Sequence, residues 1–281
     1  MLNKSASNAA PERGSGRWAD KAIKIRGAKP ADAQQIVRVY RAEVSPALIP
    51  FTALGCSGAA AFVDALIREA DVGGRDRFWI AEDPHSGQLL GFVHFRLDFS
   101  ETVLNHIIVL SHKQHCGLGT ALLRRAVTEA ELQADCVVLD VDDDNEFAFA
   151  WYQRLGFAVS GRRVWCAGAL PAPERAAFFL QNLPQAAAVH EQFGFSTLQI
   201  ATAQRTYDIG RLGEDWYRLP SLDALHDQGL MSALHCLGKR RWLVVASDDS
   251  TIPAEGLTRL IVSLRMQNTL DQLVTRMADA V

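Results

Sequence analysis

The chain has 281 residues, of which 48% are hydrophobic and 22% are charged, and its 29 basic and 32 acidic residues give a formal net charge of −3. This composition is typical of a globular protein that can build a substantial core. The near balance of charges argues against a nucleic-acid binder and against an electrostatic membrane binder.

The first 21 residues are polar and rich in small side chains, so we expect a disordered tail, because too few apolar groups are present to offset the entropy of ordering. No run in the chain approaches the roughly 18 apolar residues of a membrane span. The five cysteines form no C-x-x-C pair and have no matching histidine spacing, which predicts neither a metal site nor a disulfide framework. We therefore expect a soluble, cytoplasmic protein.

From residue 22 onward, the pattern predicts elements in the order β-α-α-β-β-β-α-β-α-β-β. "AIKIRGA" alternates like a strand, and two amphipathic helices follow it before the glycines of "DVGGRD". A hairpin, a third strand ("TVLNHIIVLS"), a helix from Gly119, a buried strand ("CVVLDV") and a helix that ends at Gly156 come next. Two last strands, "FAVSGRRVW" and "RAAFFLQNL", complete a mixed α/β domain that we place at residues 22–184.

Residues 185–281 predict a second, smaller α/β domain without a chemistry-bearing motif. Its pattern indicates strands at "FSTLQIATA" and "RWLVVAS", an irregular stretch "YDIGRLGEDWYRLP", a helix "SLDALHDQGLMSALHCL" and a long terminal helix from Pro253. The endings "YQRLGF" and "HEQFGF" resemble each other, but helices commonly end on glycine and an aromatic residue, so we interpret the resemblance as coincidence.

Between residues 109 and 127, a strand passes through two glycines into a helix: "VLSHKQHCGLGTALLRRAV". A helix N-terminus exposes unpaired N–H groups, and glycines let a phosphate approach the backbone closely. The stretch has neither the Gly-Lys-Ser/Thr ending of a nucleotide P-loop nor the third glycine of a dinucleotide fingerprint. A pyrophosphate is therefore a possible ligand, although a plain turn explains this pattern equally well when it is considered alone.

Two spaced motifs make the chain resemble the GNAT superfamily of acyl-CoA N-acyltransferases over about residues 22–183. The first family motif, an apolar strand followed by Q/R-x-x-G-x-G/A, is matched by Val109, Gln114, Gly117 and Gly119. The second, N-x-x-A-x-x-x-Y-x-x-x-G-F, is matched at every position by Asn145, Ala148, Tyr152, Gly156 and Phe157. The order of elements also matches the family's mixed sheet with splayed central strands.

The resemblance implies acetyl-CoA as co-substrate, with no metal, and it implies roles for particular residues. Backbone groups of Ile108, Val109 and Leu110 would hold the pantetheine arm, and Asn145 would contact its cysteamine end. Tyr152 would be the general acid that protonates the departing thiolate. The pyrophosphate would be held by the amides of the glycine turn, namely Gln114, His115, Cys116, Gly117, Leu118, Gly119 and Thr120.

Several alternatives stay open from the residues themselves. Tyr152 could simply pack in the core, Asn145 could be a plain N-cap, and Cys116 could be a nucleophile or merely sensitive to oxidation.

His106 is the best placed histidine for a general base, and Glu101 is the carboxylate alternative, although a lone strand histidine is more often structural. The acidic run "DVDDDN", with Asp142 as its first candidate for a test, could draw a cationic amine or be a solvated loop.

The leading hypothesis is an acetyl-CoA-dependent N-acetyltransferase that acts on a primary amine of a small molecule or peptide, by direct attack in a ternary complex. By this resemblance, residues 40–75 and the hairpin "FRLDFSE" would shape the acceptor site, and the apolar "PALIPFTALG" within the first segment indicates a small or partly apolar acceptor. The alternative is a non-catalytic acyl-CoA-binding sensor or assembly module, in which the C-terminal part mediates signalling or self-association. The presence of Tyr152 favours catalysis, since a binder needs no acid for a thiolate.

Overall fold

The computed structural model describes residues 23–130, 134–238, 240–247 and 257–279, so the tail expected at residues 1–21 lies outside the described residues. The N-terminal half (residues 23–169) contains β1 (Lys24–Gly27), α1 (Ala33–Glu43), α2 (Ala59–Glu69), β2 (Asp76–Glu82), β3 (Leu89–Leu97), β4 (Thr102–Val109), α3 (Leu118–Glu129), β5 (Cys136–Asp142), α4 (Glu146–Arg154) and β6 (Ala158–Ala169). The C-terminal half (residues 178–279) contains β7 (Phe178–Leu180), α5 (Leu183–Phe193), β8 (Phe195–Thr202), β9 (Thr206–Leu212), β10 (Trp216–Arg218), α6 (Gln228–Leu237), β11 (Arg241–Ser247), β12 (Thr258–Thr269) and α7 (Leu270–Asp279).

The mixed α/β fold predicted from the sequence is confirmed, and in the N-terminal half each predicted helix and strand is present in the predicted order. Local signals are strong there. Gly73 ends the segment after α2, and Gly156 follows α4, both in the left-handed conformation that glycine adopts without a Cβ clash.

The C-terminal half differs from the prediction in two places. The stretch predicted as irregular forms two strands, β9 and β10. The terminal helix predicted from Pro253 is wrong for residues 258–269, which form β12, and only residues 270–279 are helical. β12 pairs on both edges, with β5 and with β6, so long-range hydrogen bonding decides a segment whose local pattern is ambiguous.

All twelve described strands form one sheet, in the order β1-β2-β3-β4-β5-β12-β6-β11-β10-β9-β8-β7. The order reads as two mirrored series, β1 to β5 and β7 to β11, that meet at the central pair β12 and β6. In each series the fourth and fifth strands are parallel, β4 with β5 and β10 with β11, and a helix connects them. The two halves therefore repeat one topology.

The last strand of each half crosses into the other half's series. β12 from the C-terminal half pairs with β5, and β6 from the N-terminal half pairs with β11. The two segments predicted as separate domains, 22–184 and 185–281, thus share one continuous sheet, and the boundary between them stays a prediction. The similar endings after α4 and α5 occupy different places in the two halves, so the repeated topology does not relate them.

The core is built on both faces of this sheet. One cluster packs α3, α4 and α7 against β3, β4 and β5, and it includes Leu122, Leu139, Tyr152 and Met266. A second cluster packs α1 and α2 against β2 and β3. A third fills the C-terminal half around α6 and β8 to β11. α7 belongs to the first cluster, so the C-terminus of the described chain supports the N-terminal half.

Candidate active site

The central strands β4 and β5 are paired at only one end. Their parallel register joins Thr102 to Val137 and Val103 to Val138, and beyond these pairs no further β4–β5 pairing is present in the two strands, both of which are fully described. The carboxyl ends of β4 and β5 therefore diverge. This gap leaves the β5-facing edge of β4 near Ile108 and Val109 without a strand partner, so its peptide groups can hydrogen-bond a ligand.

A β-bulge lies just before the gap. His94 of β3 faces His106 of β4, whereas the next residue, Phe95, faces Leu104, so Asn105 is an extra residue in β4. Bulges change the direction of the backbone and are frequent beside active sites.

The glycine turn joins the end of β4 to α3. Gly117 is the N-cap of α3 and has φ +84°, a left-handed conformation that L side chains adopt only with strain. Gly119 lies in the first turn of the helix, where an added Cβ would meet only Val109 and Trp151 at 3.9 and 4.0 Å. The free N–H groups and the helix dipole make this turn a suitable site for an anion.

Side chains of the turn brace it against β4. The Gln114 Nε2 atom donates a hydrogen bond to the Val109 carbonyl oxygen at 2.9 Å, and the Cys116 thiol donates to the Lys113 carbonyl at 2.7 Å. Gln114 thus acts on the protein backbone in this structure, and it holds the strand end at a fixed distance from the turn.

His115 has the one positive φ, +59°, among the described residues other than glycine. Its ring makes an edge-to-face contact with Phe147 of α4, with the centroids 4.4 Å apart, and both residues line the cavity described below. This contact joins the glycine turn to α4 beside the cavity.

α4 lines the same cavity as the glycine turn. The Asn145 side chain accepts a hydrogen bond from the Ala148 N–H at 3.1 Å, so Asn145 is the N-cap of this helix. The Trp151 indole donates to the Thr120 hydroxyl at 3.3 Å, which ties α4 to α3. Tyr152 is buried, and burial raises the pKa of its phenol well above the ordinary value, so the hydroxyl is protonated at neutral pH.

These elements enclose a cavity of about 1210 Å³. Most residues predicted to contact CoA line it, namely Ile108, Val109, Gln114, His115, Gly117, Gly119, Thr120 and Asn145. Tyr152 lines it as well, whereas Leu110, Cys116 and Leu118 are not among its described lining residues.

The far wall of the cavity comes from three segments. The loop after α1 contributes Ala47 and Leu48, and the acidic run after β5 contributes Asp142, Asp143 and Asp144. The third segment is the beginning of β12, residues 259–262, which belongs to the C-terminal half. The sequence offers no signal for this third segment, because it becomes part of the site only through the exchange of strands.

Asp142 is half-buried in this wall. Burial, together with the neighbouring carboxylates of Asp144 and Asp143, raises the pKa of the Asp142 carboxyl. The Glu43 carboxylate, at the end of α1, also lines the cavity, and both its oxygens accept hydrogen bonds from Ser111, at 3.0 Å from the backbone N–H and at 2.5 Å from the hydroxyl.

His106 belongs to a buried chain of titratable groups behind the cavity, and it is not among the described residues that line the cavity. The Asp76 carboxylate lies 2.6 Å from His94 Nε2, and His94 Nδ1 lies 3.3 Å from His106 Nδ1. Burial, with the nearby charges of His94 and Arg96, lowers the pKa of His106 to about 3. When both histidine rings are neutral, His94 Nε2 carries a proton and donates it to the Asp76 carboxylate. His94 Nδ1 is then an acceptor, so His106 Nδ1 carries the proton of the second hydrogen bond.

Glu101 is also absent from the described lining of the cavity. It precedes β4 at the paired end of the β4–β5 register, and its carboxylate forms an ion pair of 2.7 Å with Arg265 of β12. The structure therefore brings Tyr152 and the glycine turn to one cavity and leaves both candidate bases outside it. The roles assigned to all of these residues stay predictions.

Comparisons with known proteins find similarity to acetyltransferases. Residues 55–157 match the model of the acetyltransferase (GNAT) family. Over 88 residues the chain is 34% identical to the 5-NmdU N-acetyltransferase of Pseudomonas phage PaMx11, a match that covers 31% of this chain and 61% of that protein. The match thus spans less than two thirds of that relative.

Solved structures extend the likeness to both halves of the chain. A putative acetyltransferase from Pyrococcus horikoshii has a TM-score of 0.58 at 14% identity, covering 94% of this chain and 93% of its own. A tandem GNAT protein from the clavulanic acid biosynthesis pathway has a TM-score of 0.60 at 11% identity, covering 88% of this chain and 98% of its own. At these identities the likeness concerns the fold alone. Within the described residues, no helix combines the length and the apolar character required to cross a membrane.

Proposed function

We propose that this chain, whose residues 55–157 match the model of the acetyltransferase (GNAT) family, is an acetyl-CoA-dependent N-acetyltransferase that acetylates a primary amine on a small molecule or peptide. The observation that carries the proposal is that the buried Tyr152 and the glycine turn line one cavity, beside the gap between β4 and β5.

In this proposal the two ends of CoA bind to different parts of the gap. The N–H groups of residues 114–120 hold the diphosphate at the start of α3, and the free edge of β4 near Ile108 and Val109 hydrogen-bonds the pantetheine arm. Asn145 already caps α4 with its side-chain oxygen, so its contribution to CoA binding comes from the amide nitrogen of that side chain.

Tyr152 supplies the proton for the leaving group. The amine nitrogen attacks the thioester carbonyl, the carbon–sulfur bond breaks, and the phenol protonates the thiolate. The position of Tyr152 in the cavity lining supports this role, since its phenol is protonated at neutral pH and can donate to the thiolate as the thiolate forms. Binding both reactants in one cavity holds the amine next to the thioester, which by itself accelerates the attack, so no covalent enzyme intermediate is required.

For the proton of the incoming amine, Asp142 is better placed than His106 or Glu101. Asp142 lines the cavity, and its raised pKa makes the carboxylate a better proton acceptor than an ordinary aspartate. His106 has a pKa of about 3, so its ring is a weak base at neutral pH. In the proposed reaction, Asp142 removes one proton from the bound ammonium and later releases it to solvent. The nitrogen releases a second proton after attack, which restores the Tyr152 phenol, so the net products are the amide, the CoA thiol and one proton.

The test is thiol release from acetyl-CoA in the presence of a panel of amines, for the wild type and for Tyr152→Phe. Phenylalanine keeps the ring packing, so we expect CoA affinity to be unchanged and kcat to fall about 100-fold or more. Tyr217→Phe, at a buried tyrosine of the C-terminal half, is the matched control and should keep full activity. If the wild type binds CoA but turns over no amine, the sensor alternative replaces this proposal.

A further inference from the structure

The cavity carries opposite charges that do not neutralise each other. On its far wall, the carboxylates of Asp142 and Asp144 form no hydrogen bond or ion pair with any described residue, and the same is true of the Arg259 guanidinium at the start of β12. Arg259 is exposed and Asp142 is half-buried, and both line the same cavity, so a positive and a negative group are available to one ligand.

From this arrangement we infer that the acceptor amine also carries an anionic group, a carboxylate or a phosphate, which Arg259 binds while Asp142 receives the ammonium. This inference rests on the proposed function and names its substrate class. A guanidinium suits either anion because its N–H groups can bind two oxygens at once.

The exchange of strands sets the spacing of the two charges. Asp142 ends β5 and lies opposite Ser263 of β12, and Arg259 lies four residues earlier on β12, past the end of β5. At about 3.3 Å per residue, the two Cα atoms are roughly 10 to 13 Å apart. Both residues line the cavity, but their side chains leave opposite faces of the sheet, because Asp142 is paired with Ser263 whereas Arg259, paired with Cys166, lies on the face of Val262. A single ligand must therefore pass the end of β5, and its two charges must be separated by several bonds.

A bulge and an apolar surface occupy the space between the charges. In the β12–β6 register, Arg259 faces Cys166 and Ile261 faces Trp165, so Leu260 is an extra residue at the point where β12 enters the cavity wall. Leu260, Ile261 and Val262 line the cavity together with Ala47 and Leu48. This apolar stretch suits a methylene or peptide spacer, and it favours an ω-amino acid, an aminoalkyl phosphate or a short peptide over an α-amino acid.

The other charged groups of the cavity do not account for the same ligand. Glu43 is saturated by Ser111, and Asp143 lies 3.4 Å from Arg162. Arg154 also lines the cavity, but it lies on α4, the wall that holds the predicted CoA contacts. A contact between Arg259 and a CoA phosphate is the competing explanation, and the experiment must separate the two.

The experiment compares amines of equal length: 6-aminohexanoate, 5-aminopentyl phosphate, hexylamine and 1,6-diaminohexane. For each amine, kcat/KM is measured by thiol release, and binding to the CoA-saturated protein is measured by calorimetry. We expect the wild type to prefer the carboxylate or the phosphate over hexylamine by about 10-fold or more, since a charge-assisted hydrogen bond contributes that much. The relative values for the two anions identify which one the acceptor carries.

Arg259→Gln should remove this preference and leave kcat/KM for hexylamine within about 2-fold of the wild type. Arg259→Glu should shift the preference to 1,6-diaminohexane. Arg276→Gln, which removes a similar charge from the exposed face of α7, is the control and should change neither value.

Two results would overturn the inference: a wild-type preference for the diamine, or an effect of Arg259→Gln on the KM of acetyl-CoA alone. If no amine is turned over but the anionic amines still bind preferentially through Arg259, the proposed catalysis fails and the ligand class stands. Turnover without any preference among the amines leaves the proposed function intact and rejects the ligand class.

Discussion

Asp142 and Ser263 lie opposite each other on the antiparallel strands β5 and β12, although they come from opposite halves of the chain. The backbone N–H of the next residue, Asp143, donates to the Val262 carbonyl at 2.9 Å, so the acidic run of the cavity is held directly by the C-terminal half. Neither half has a complete sheet without the other.

A fragment comprising residues 22–184 should therefore not fold on its own. It lacks β12, so β5 and β6 would each present an unpaired edge, and α7 would be missing from the core. We expect no cooperative thermal unfolding transition by circular dichroism and no CoA binding by calorimetry. Co-expression with a fragment of residues 185–281 should restore both properties. Cooperative unfolding and CoA binding by the first fragment alone would contradict the prediction and support an independent domain.

Gly117 and Gly119 should respond differently to alanine. Gly117→Ala places a Cβ on a left-handed residue, so we expect a loss of about 1 kcal/mol in the free energy of unfolding and weaker CoA binding. Gly119→Ala meets only ordinary contacts, so its melting temperature should stay at the wild-type value while CoA affinity falls, because the methyl group takes space needed by the diphosphate. Calorimetry and thermal melts measure the two effects separately. Unchanged CoA affinity in Gly119→Ala would place the diphosphate elsewhere.

Gln114→Ala removes the hydrogen bond to the Val109 carbonyl and should loosen the glycine turn from β4. We expect a stability loss of about 1 kcal/mol and a several-fold rise in the KM of acetyl-CoA, with kcat little changed. Gln114→Glu cannot donate this bond, and it adds a negative charge beside the proposed diphosphate site, so its KM should rise further. The same KM in both variants would indicate that Gln114 has only a structural role.

The buried chain Asp76–His94–His106 should make the protein sensitive to acid. Burial lowers the pKa of His94, and burial and nearby charges lower that of His106 to about 3, so the unfolded state binds more protons below the ordinary histidine pKa of about 6.5. The contribution of the two neutral histidines to the free energy of unfolding is complete above pH 6.5 and is lost as the pH falls toward 3. Burial alone would raise the pKa of Asp76, but hydrogen bonds and charge from His94 and Arg96 lower it, so its contribution is lost only below about pH 3.9.

Urea unfolding between pH 7.5 and 5 measures this dependence. The free energy of unfolding should fall with decreasing pH, with a slope of at most about 1.4 kcal/mol per pH unit for each histidine. His106→Gln keeps a donor for His94 and should reduce the slope, whereas His85→Gln in the exposed β2–β3 connection serves as the control. Equal slopes in the wild type and His106→Gln would show that His106 does not titrate in this way.

The N-terminal half was predictable because its signals are local. Amphipathic periodicity, glycines at helix ends and the spacing of two motifs depend on residues close together in the chain, and they place Tyr152 on α4 and the glycine turn at the start of α3. The same reasoning misassigned residues 258–269, because a segment with alternating and consecutive apolar residues becomes a strand or a helix according to the partners it finds. β5 and β6 are those partners, and no local pattern identifies them.

The amino-acid sequence by itself thus determined the elements of the N-terminal half and the two motifs, since hydrogen bonding within a helix, a turn or a cap acts over a few residues. Only the tertiary structure decided that β12 enters the sheet between β5 and β6, that Arg259 shares a cavity with Asp142, and that His106 and Glu101 lie outside that cavity. The physical reason is that strand pairing and burial join residues distant in the chain, and their energies depend on the whole sheet rather than on the local pattern.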